Sequence, residues 1–507
     1  MKFLSTRRAL LFIFFGPALL LAAIFFALPS PPFVSASPLL QDDTAAGKKI
    51  FDARCQYCHG EKGKGDGAGA AVMFPRPRDF TSGAFKIRTT ESGDAPTDAD
   101  LVKIVGDGMP GTTMPAWRGV LNDAEIKQVV AYVKTFDAKL FDPKSPAKPV
   151  PLSASVKSSS PDSINKGKAV YQENGCFKCH GQEGRGDGPS AFELKDKLGN
   201  KILPADLTKP WNFRGGSTAQ DLFRTLTTGL TGTPMPSFAD ALKEDERWDL
   251  INFIKSLAPT DKPEVKAVFL AKRVDGALPT DANSELWKRA ERFYFPLVGQ
   301  LVWDPRLFTP AIDSAFAQAL YNDNEIGLLI SWDDRVEDKK ANADDGILVQ
   351  FPNVIPTALE KPYFIFGDAN HPVNLWQWQG SKGKVEEANA TSINTITIQK
   401  AESQSAQATL TFKNGQYQLL VKRALNTNDK DNDIQFVVGK FIPIALSVWD
   451  GGTGEGGAKR SVSAWYSLYL EAPTPATAFL SIPAAIAIVA ALEFAAVWLV
   501  RRGKKNA

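Results

Sequence analysis

All four cysteines of the chain fall in two pentapeptides, Cys55-Gln56-Tyr57-Cys58-His59 and Cys176-Phe177-Lys178-Cys179-His180, which also contain two of its three histidines. Two thiols three positions apart, followed at once by an imidazole, suit one chemistry above others. The sulfurs form thioethers to the vinyl groups of a haem while the imidazole ligates its iron from one face. A sixth ligand is then needed on the opposite face. Met114 lies 55 residues beyond His59, and Met235 lies 55 residues beyond His180. Zinc is the competing reading of such a cysteine pair, but zinc gathers four protein ligands around one centre and takes a thioether poorly. Two haems c are therefore expected, attached through Cys55, Cys58, Cys176 and Cys179. His59, Met114, His180 and Met235 are their expected axial iron ligands. Met ligation leaves no open iron site, so no catalytic residue is expected.

These ligands belong to an internal repeat. One shift of 121 residues carries Cys55, His59, Asp66, Gly111, Met114, Pro115 and Tyr132 onto Cys176, His180, Asp187, Gly232, Met235, Pro236 and Phe253. Met109 competes locally with Met114, but Leu230 at its repeat position cannot ligate iron. In Asn122-Asp123-Ala124-Glu125 the Asn is placed to cap a helix while Glu125 reaches back, and Ile126, Val129, Val130 and Val133 then share one apolar face. Leu250, Ile251 and Ile254 repeat most of that face. Gly63, Gly65, Gly67 and Gly69 lack the flanking strand and helix of a phosphate loop and read instead as a tight wrap beside the haem edge. Both halves resemble class I cytochromes c, which implies two all-α domains over residues 44–140 and 163–258. Residues 141–162, rich in Pro, Ser and Lys, read as a solvated linker.

Thioether attachment of haem takes place outside the cytoplasm, so an export signal is expected. Lys2, Arg7 and Arg8 precede an apolar run over 9–28 and a small-residue cleavage site at Val34-Ser35-Ala36, giving a signal peptide over 1–36 or, uncleaved, an N-terminal anchor. Residues 477–500 are apolar and long enough to cross a bilayer, which predicts a transmembrane helix. Arg501, Arg502, Lys504 and Lys505 follow and place the tail, 501–507, in the cytoplasm, with the bulk of the chain on the periplasmic side. A formal charge of +3 over 507 residues gives no indication of nucleic acid.

The composition changes after residue 260. Seven of the eleven Trp lie between 287 and 465, and no Met or Cys follows. Apolar and polar residues alternate over 327–332, 347–351, 373–378 and 395–398, and Asn414-Gly415 between two further runs signals a hairpin. An all-β sandwich is expected over 280–472. Ser331-Trp332-Asp333-Asp334, Val349-Gln350-Phe351-Pro352, Phe366-Gly367-Asp368, Pro372-Val373-Asn374-Leu375-Trp376 and Ser447-Val448-Trp449-Asp450-Gly451 resemble the haem-binding domain of the ethylbenzene dehydrogenase type. That domain is the γ subunit of type II molybdoenzymes of the dimethyl sulfoxide reductase family, which includes nitrite oxidoreductases. The resemblance implies a haem b between a Met and a Lys. No Met stands near Phe364–Phe366, where one is expected, whereas Lys459 lies just before the last strand. His371 is the one imidazole of the domain and the candidate replacement; a surface His and a solvated Lys are the alternatives.

The expected protein is a membrane-anchored electron-transfer subunit of a molybdenum oxidoreductase complex, of the nitrite oxidoreductase or nitrate reductase kind. It carries two haems c, with the haem b as a further candidate. Its expected partners are iron-sulfur and molybdenum catalytic subunits and a soluble cytochrome or membrane redox partner. The rivals are a dihaem peroxidase and a dihaem cytochrome whose sandwich binds carbohydrate through Trp376 and Trp378.

Overall fold

The computed structural model describes residues 40–258, 262–357, 360–473 and 476–503. The expected signal segment, 1–36, lies outside them, as do residues 504–507 of the expected tail.

Each cytochrome domain packs its first helix across its last. In the first domain these are Leu40–Arg54 and Asp123–Lys134, and in the second Pro161–Glu173 and Glu244–Ser256. The crossing needs a glycine, because a Cβ on Gly47 or Gly167 would stand 2.0 Å from the carbonyl oxygen of Gln128 or Asp249. Asn122 accepts hydrogen bonds from the backbone of Ala124 and Glu125, and Glu125 accepts one from Asn122, so the expected capping box is formed. The faces Ile126, Val129, Val130, Val133 and Leu250, Ile251, Ile254 are buried. A third helix, Asp98–Asp107 or Ala219–Thr228, closes each domain after a Thr97 or Thr218 cap. The linker is tied to both domains: Val150 N–H donates to the Thr89 carbonyl at 2.8 Å, and Lys157 pairs with Asp249 at 2.8 Å.

The third domain is a sandwich whose two layers share one strand. Phe441–Trp449 pairs through its first half with Tyr466–Leu470 and through its second half with Gly346–Pro352. One layer continues from Tyr466–Leu470 through Val268–Arg273, Ser314–Tyr321 and Glu325–Asp333 to the hairpin Gln407–Lys413 and Gln416–Ala424. The other runs from Gly346–Pro352 through Val373–Gln379 to Val385–Ala390. The domain thus starts ahead of residue 280, because Val268–Arg273 is a central strand, paired in parallel on both sides. Asn414 and Gly415 both have positive φ, 50° and 69°, as the Asn-Gly turn predicts.

Alternate residues of the two layers, among them Ile330, Trp332, Val349, Phe351, Trp376, Trp378, Tyr417 and Leu419, form one apolar core. Trp376 and Trp378 are 1% and 2% exposed, so they are core residues and no sugar platform. The expected C-terminal span coincides with the helix Ala476–Gly503. Among the described residues no helix is long and apolar enough to cross a membrane; side chains at 476–482, 484, 500, 501 and 503 lie outside that set.

Candidate haem centres

Both pentapeptides form a single helical turn directly after the first helix of their domain, Gln56–His59 and Phe177–His180. The glycine-rich run wraps back on that turn. Gly65 N–H donates to the His59 carbonyl and Gly67 N–H to the Cys58 carbonyl, with Gly186 and Gly188 doing the same to His180 and Cys179. Asp66 and Asp187 sit so close to Gly60 and Gly181 that a Cβ there would lie 2.1 and 1.7 Å from a carboxylate oxygen.

The imidazoles are oriented from behind. His59 Nδ1 lies 3.0 Å from the Arg78 carbonyl oxygen, and His180 Nδ1 lies 2.9 Å from that of Ala205. A carbonyl only accepts, so Nδ1 carries the proton and donates, leaving Nε2 unprotonated as a metal-binding lone pair. Burial lowers the pKa of both rings and keeps them in this neutral form. Burial likewise pushes the Cys55 and Cys176 thiols up to about 11.

The methionines occupy matching turns. Thr112 Oγ1 donates to the Met109 carbonyl and accepts from Met114 N–H, while Met109 N–H donates to the Met114 carbonyl at 3.1 Å. Thr233, Leu230 and Met235 repeat all three bonds. Met109 is therefore the backbone brace of the Met114 turn, a role that Leu230 fills equally well. His59, Met114, His180, Met235 and all four cysteines line one continuous cavity of about 1670 Å³. That exceeds the roughly 300–1,000 Å³ of a single ligand pocket and leaves room for two macrocycles. The donor set that lines the cavity in each domain, a neutral imidazole, a thioether and two thiols among apolar side chains, fits haem c. The chain has two haem c binding domains.

Arg78, Lys86, Arg214 and Arg335 are among the cations that line the cavity. Burial, reinforced by the charges of Arg78 and Arg214, lowers Lys86 to about 8. Arg214 is lowered by burial and by Arg78 and Arg335. Such mutual repulsion suits a site that receives anionic groups, and the propionates of a haem are anionic.

The repeat shift of 121 residues conceals two compensating changes of length. The segment holding the histidine, Pro77-Arg78-Asp79-Phe80, maps onto Pro204-Ala205-Asp206-Leu207 with a shift of 127. The second domain has six more residues before this segment and the first has six more after it. These additions join the domains. The second domain's extra turn brings Lys197 onto the Ser82 carbonyl, and the first domain's extra loop brings buried Arg88 onto the Thr228 carbonyl at 2.9 Å. Gly93 N–H also donates to Thr231 Oγ1 at 3.2 Å. The matching Pro-X-Asp segments were the sequence signal for Arg78 and Ala205; the single shift had obscured it.

The sandwich forms a further wall of the cavity, contributing Pro305 to Asp313, Asp333 to Arg335, Asp450 and Lys459 among its lining residues. Its main anchor is Lys209, whose side chain is 9% exposed and whose ammonium lies 2.9 Å from Asp313, 3.4 Å from Asp333 and 3.9 Å from Asp206. Burial alone would lower this ammonium, but the three carboxylates outweigh it and raise its pKa. Asp313, although burial opposes it, is held at about 2 by Lys209. Arg185 pairs with Asp333 at 3.2 Å, Arg335 donates to the Gly186 carbonyl at 3.1 Å, and Phe74 of the first domain donates to Thr309 Oγ1 at 3.2 Å.

The two candidates for haem b are placed differently. Lys459 faces the cavity of the cytochrome domains. His371 lies in a loop with its Nδ1 3.0 Å from Asp368 Oδ1. Next to Lys459 in sequence, the buried guanidinium of Arg460 covers the rings of Phe366 and Trp449, at 5.2 and 4.5 Å from their centroids. Cation–π packing thus occupies Phe366, one of the positions where the resemblance places a Met.

Comparison with known proteins agrees with the two helical domains. Residues 164–258 match the cytochrome c family, and residues 42–133 match the cbb3-type cytochrome c oxidase subunit III family. The chain is a dihaem c-type electron-transfer protein, and c-type attachment implies an extracytoplasmic location. ORF7 of Haloferax mediterranei, assigned as a respiratory nitrate reductase heme subunit, is 27% identical over 192 residues, covering 37% of this chain and 67% of that protein. The subunit CcoP of the cbb3-type oxidase of Azospirillum brasilense is 29% identical over 226 residues, 43% of this chain and 63% of its own length. The chain thus spans about two thirds of these relatives. Among solved structures, the Kuenenia stuttgartiensis reducing HAO-like protein complex Kustc0457/Kustc0458 aligns at 42% identity with a TM-score of 0.41, covering 43% of this chain and 97% of that one.

Proposed function

We propose that the chain is the membrane-anchored relay subunit of an extracytoplasmic molybdenum oxidoreductase, passing single electrons between its catalytic partners and a second redox protein through two His/Met haems c. The observation that carries this reading is the shared cavity, in which both haem sites open to one space walled by a sandwich that resembles molybdoenzyme γ subunits. The distant likeness to a nitrate reductase haem subunit supports the partner class.

Bound haem supplies an iron that exchanges one electron at a time. The chain's own residues do the rest. The carbonyls of Arg78 and Ala205 fix each imidazole plane, and the Thr112 and Thr233 turns fix each thioether. Phe51, Val129, Leu250 and Ile254 keep water from the cavity wall. Arg88, Lys197 and Lys209 lock the domains, so the separation of the two sites does not depend on the linker. His59/Met114 and His180/Met235 are the proposed axial pairs, and their matched turns argue against an open, peroxide-binding iron in either domain. Arg460 packed over Phe366 supports two haems c and no haem b, which leaves the sandwich as the docking module.

The anchor belongs to this reading. The apolar stretch 477–500 would be about 36 Å long as a helix, more than the roughly 30 Å of a hydrocarbon core, and Arg501, Arg502, Lys504 and Lys505 after it favour a cytoplasmic tail. When the tagged chain is purified from its own membranes in mild detergent, molybdenum and iron-sulfur subunits are expected to come with it in a fixed ratio, measured by metal analysis. A chain that purifies without molybdenum would remove the complex from this account.

A further inference from the structure

Three loops at the end of the sandwich bring three carboxylates together inside the protein. Asp334 follows the strand Glu325–Asp333, Asp345 precedes Gly346–Pro352, and Asp450 follows Phe441–Trp449. They are 5%, 0% and 8% exposed, and one oxygen from each lies within 4.8 Å of the others. Among the described residues none of the three forms an ion pair with a lysine or arginine.

Their hydrogen bonds orient the group without neutralising it. Asp345 accepts from Tyr417 Oη and Asp338 N–H, each at 2.7 Å, and from Gly451 N–H at 2.9 Å. Asp450 accepts from Thr453 N–H at 3.0 Å, and Asp334 Oδ1 accepts from Val336 N–H at 3.2 Å. The other oxygen of Asp334, Oδ2, is buried and has no hydrogen-bond partner among the described residues. A buried carboxylate oxygen left in this state is costly unless a cation or a proton meets it. Burial and mutual repulsion raise all three pKa values, that of Asp345 to about 7. A fourth carboxylate, Asp338, lies beside the group, its Oδ2 2.3 Å from where a Cβ on Gly452 would stand.

We propose that Asp334, Asp345 and Asp450 bind one calcium ion, which pins these three loops together at the wall of the second haem cleft. The donors are hard oxygens, which exclude the thiolate- and imidazole-seeking metals. Ligands 2.3–2.6 Å from a shared calcium are at most about 5 Å apart, which the spacing satisfies. Magnesium usually keeps several waters and takes one or two carboxylates, whereas here three protein carboxylates converge in the interior. The ion also ties two functions together, since Asp334 and Asp450 line the haem cavity while Asp345 holds Tyr417 in the sandwich core.

The test uses the full-length haem-loaded protein, freed of divalent metal by chelation and titrated calorimetrically with calcium chloride. One site per chain is expected, with a dissociation constant on the order of 10⁻⁴–10⁻³ M, as for extracellular calcium modules. Calcium should also raise the thermal midpoint of the sandwich. Asp345→Asn should weaken binding at least tenfold. Should that variant fail to fold, Asp334→Asn is the second, because its Oδ2 has no internal hydrogen bond to lose, and the same tenfold loss is expected at unchanged haem content. The proposal is overturned if the wild-type protein binds no calcium at about 10 mM, or if Asp334→Asn folds and binds it unchanged. A midpoint that rises on acidification and ignores calcium would likewise overturn it, by showing that protons neutralise the group.

Discussion

Lys209→Met will loosen the sandwich from the second cytochrome domain. The substitution keeps an apolar stem of similar length and removes the ammonium, leaving Asp206, Asp313 and Asp333 without their cation in a partly buried interface. Breaking a fully buried pair in this way costs about 3–5 kcal/mol, and the 39% exposure of the Asp313 side chain puts the loss here below that range. The expected result is a lower thermal midpoint for the sandwich, a larger radius in small-angle scattering, and unchanged haem content. Adding Asp313→Asn and Asp333→Asn should restore much of the loss, because the penalty comes from uncompensated charge. The wild-type interface also has a predictable pH limit. Asp313 is held at about 2, so its contribution is complete above the unfolded carboxylate value of about 3.9 and is lost as pH falls towards the folded one. Lys209, whose pKa is raised, contributes below its unfolded value of about 10.4 and loses that contribution only as pH rises through the folded one. The docking should therefore hold across neutral pH and fail in acid, and Lys209→Met should lack that acid transition.

The second large effect concerns iron coordination. Met114→Ala and Met235→Ala should each expose one iron, so that the reduced protein, inert to carbon monoxide in its native form, binds one equivalent per chain. The double variant should bind two. Each substitution should also lower the potential of its own haem, because Met/His ligation raises it. Met109→Ala should bind none, since Met109 contributes its backbone to the Met114 turn. Carbon monoxide binding by Met109→Ala, or none by either of the other two, would reassign the axial ligands.

The parts of this molecule that are local in sequence were legible in it. Cys-X-X-Cys-His places all three haem-binding groups on one helical turn, the Asn122 cap closes within four residues, and Asn414-Gly415 determines its own turn. What could not be read is what forms between distant segments. The 121-residue repeat holds at the motifs and the closing helices, so the loop changes that cancel between them left no trace in it, yet Arg88 and Lys197 in those loops join the domains. The first helices also depart from it: Gly47 and Gly167 are 120 residues apart because Gly175, at φ 67°, adds a residue before the second motif.

Lys209 shows the same limit. It lies in a stretch of ordinary composition, and only the docked sandwich brings Asp313 and Asp333 to it. Asp334 and Asp450 were visible within the Ser-Trp-Asp-Asp and Ser-Val-Trp-Asp-Gly motifs, but those motifs lie 116 residues apart, and only the folded loops bring them and Asp345 together. Trp376 and Trp378 alternate as an exposed aromatic strip would. They are buried because their strand is covered on both faces, by the opposite layer on one side and by Ile365, Phe366 and Ile393 on the other.

The central claim is that this chain carries two covalently bound haems c and routes electrons through them without a haem in the sandwich. Pyridine haemochrome spectra of the purified full-length protein, recorded before and after acid-acetone extraction, test it most directly. Two haems c per chain, with nothing released by extraction, is the predicted result. An extractable haem b in stoichiometric amount, or fewer than two covalent haems, would contradict it.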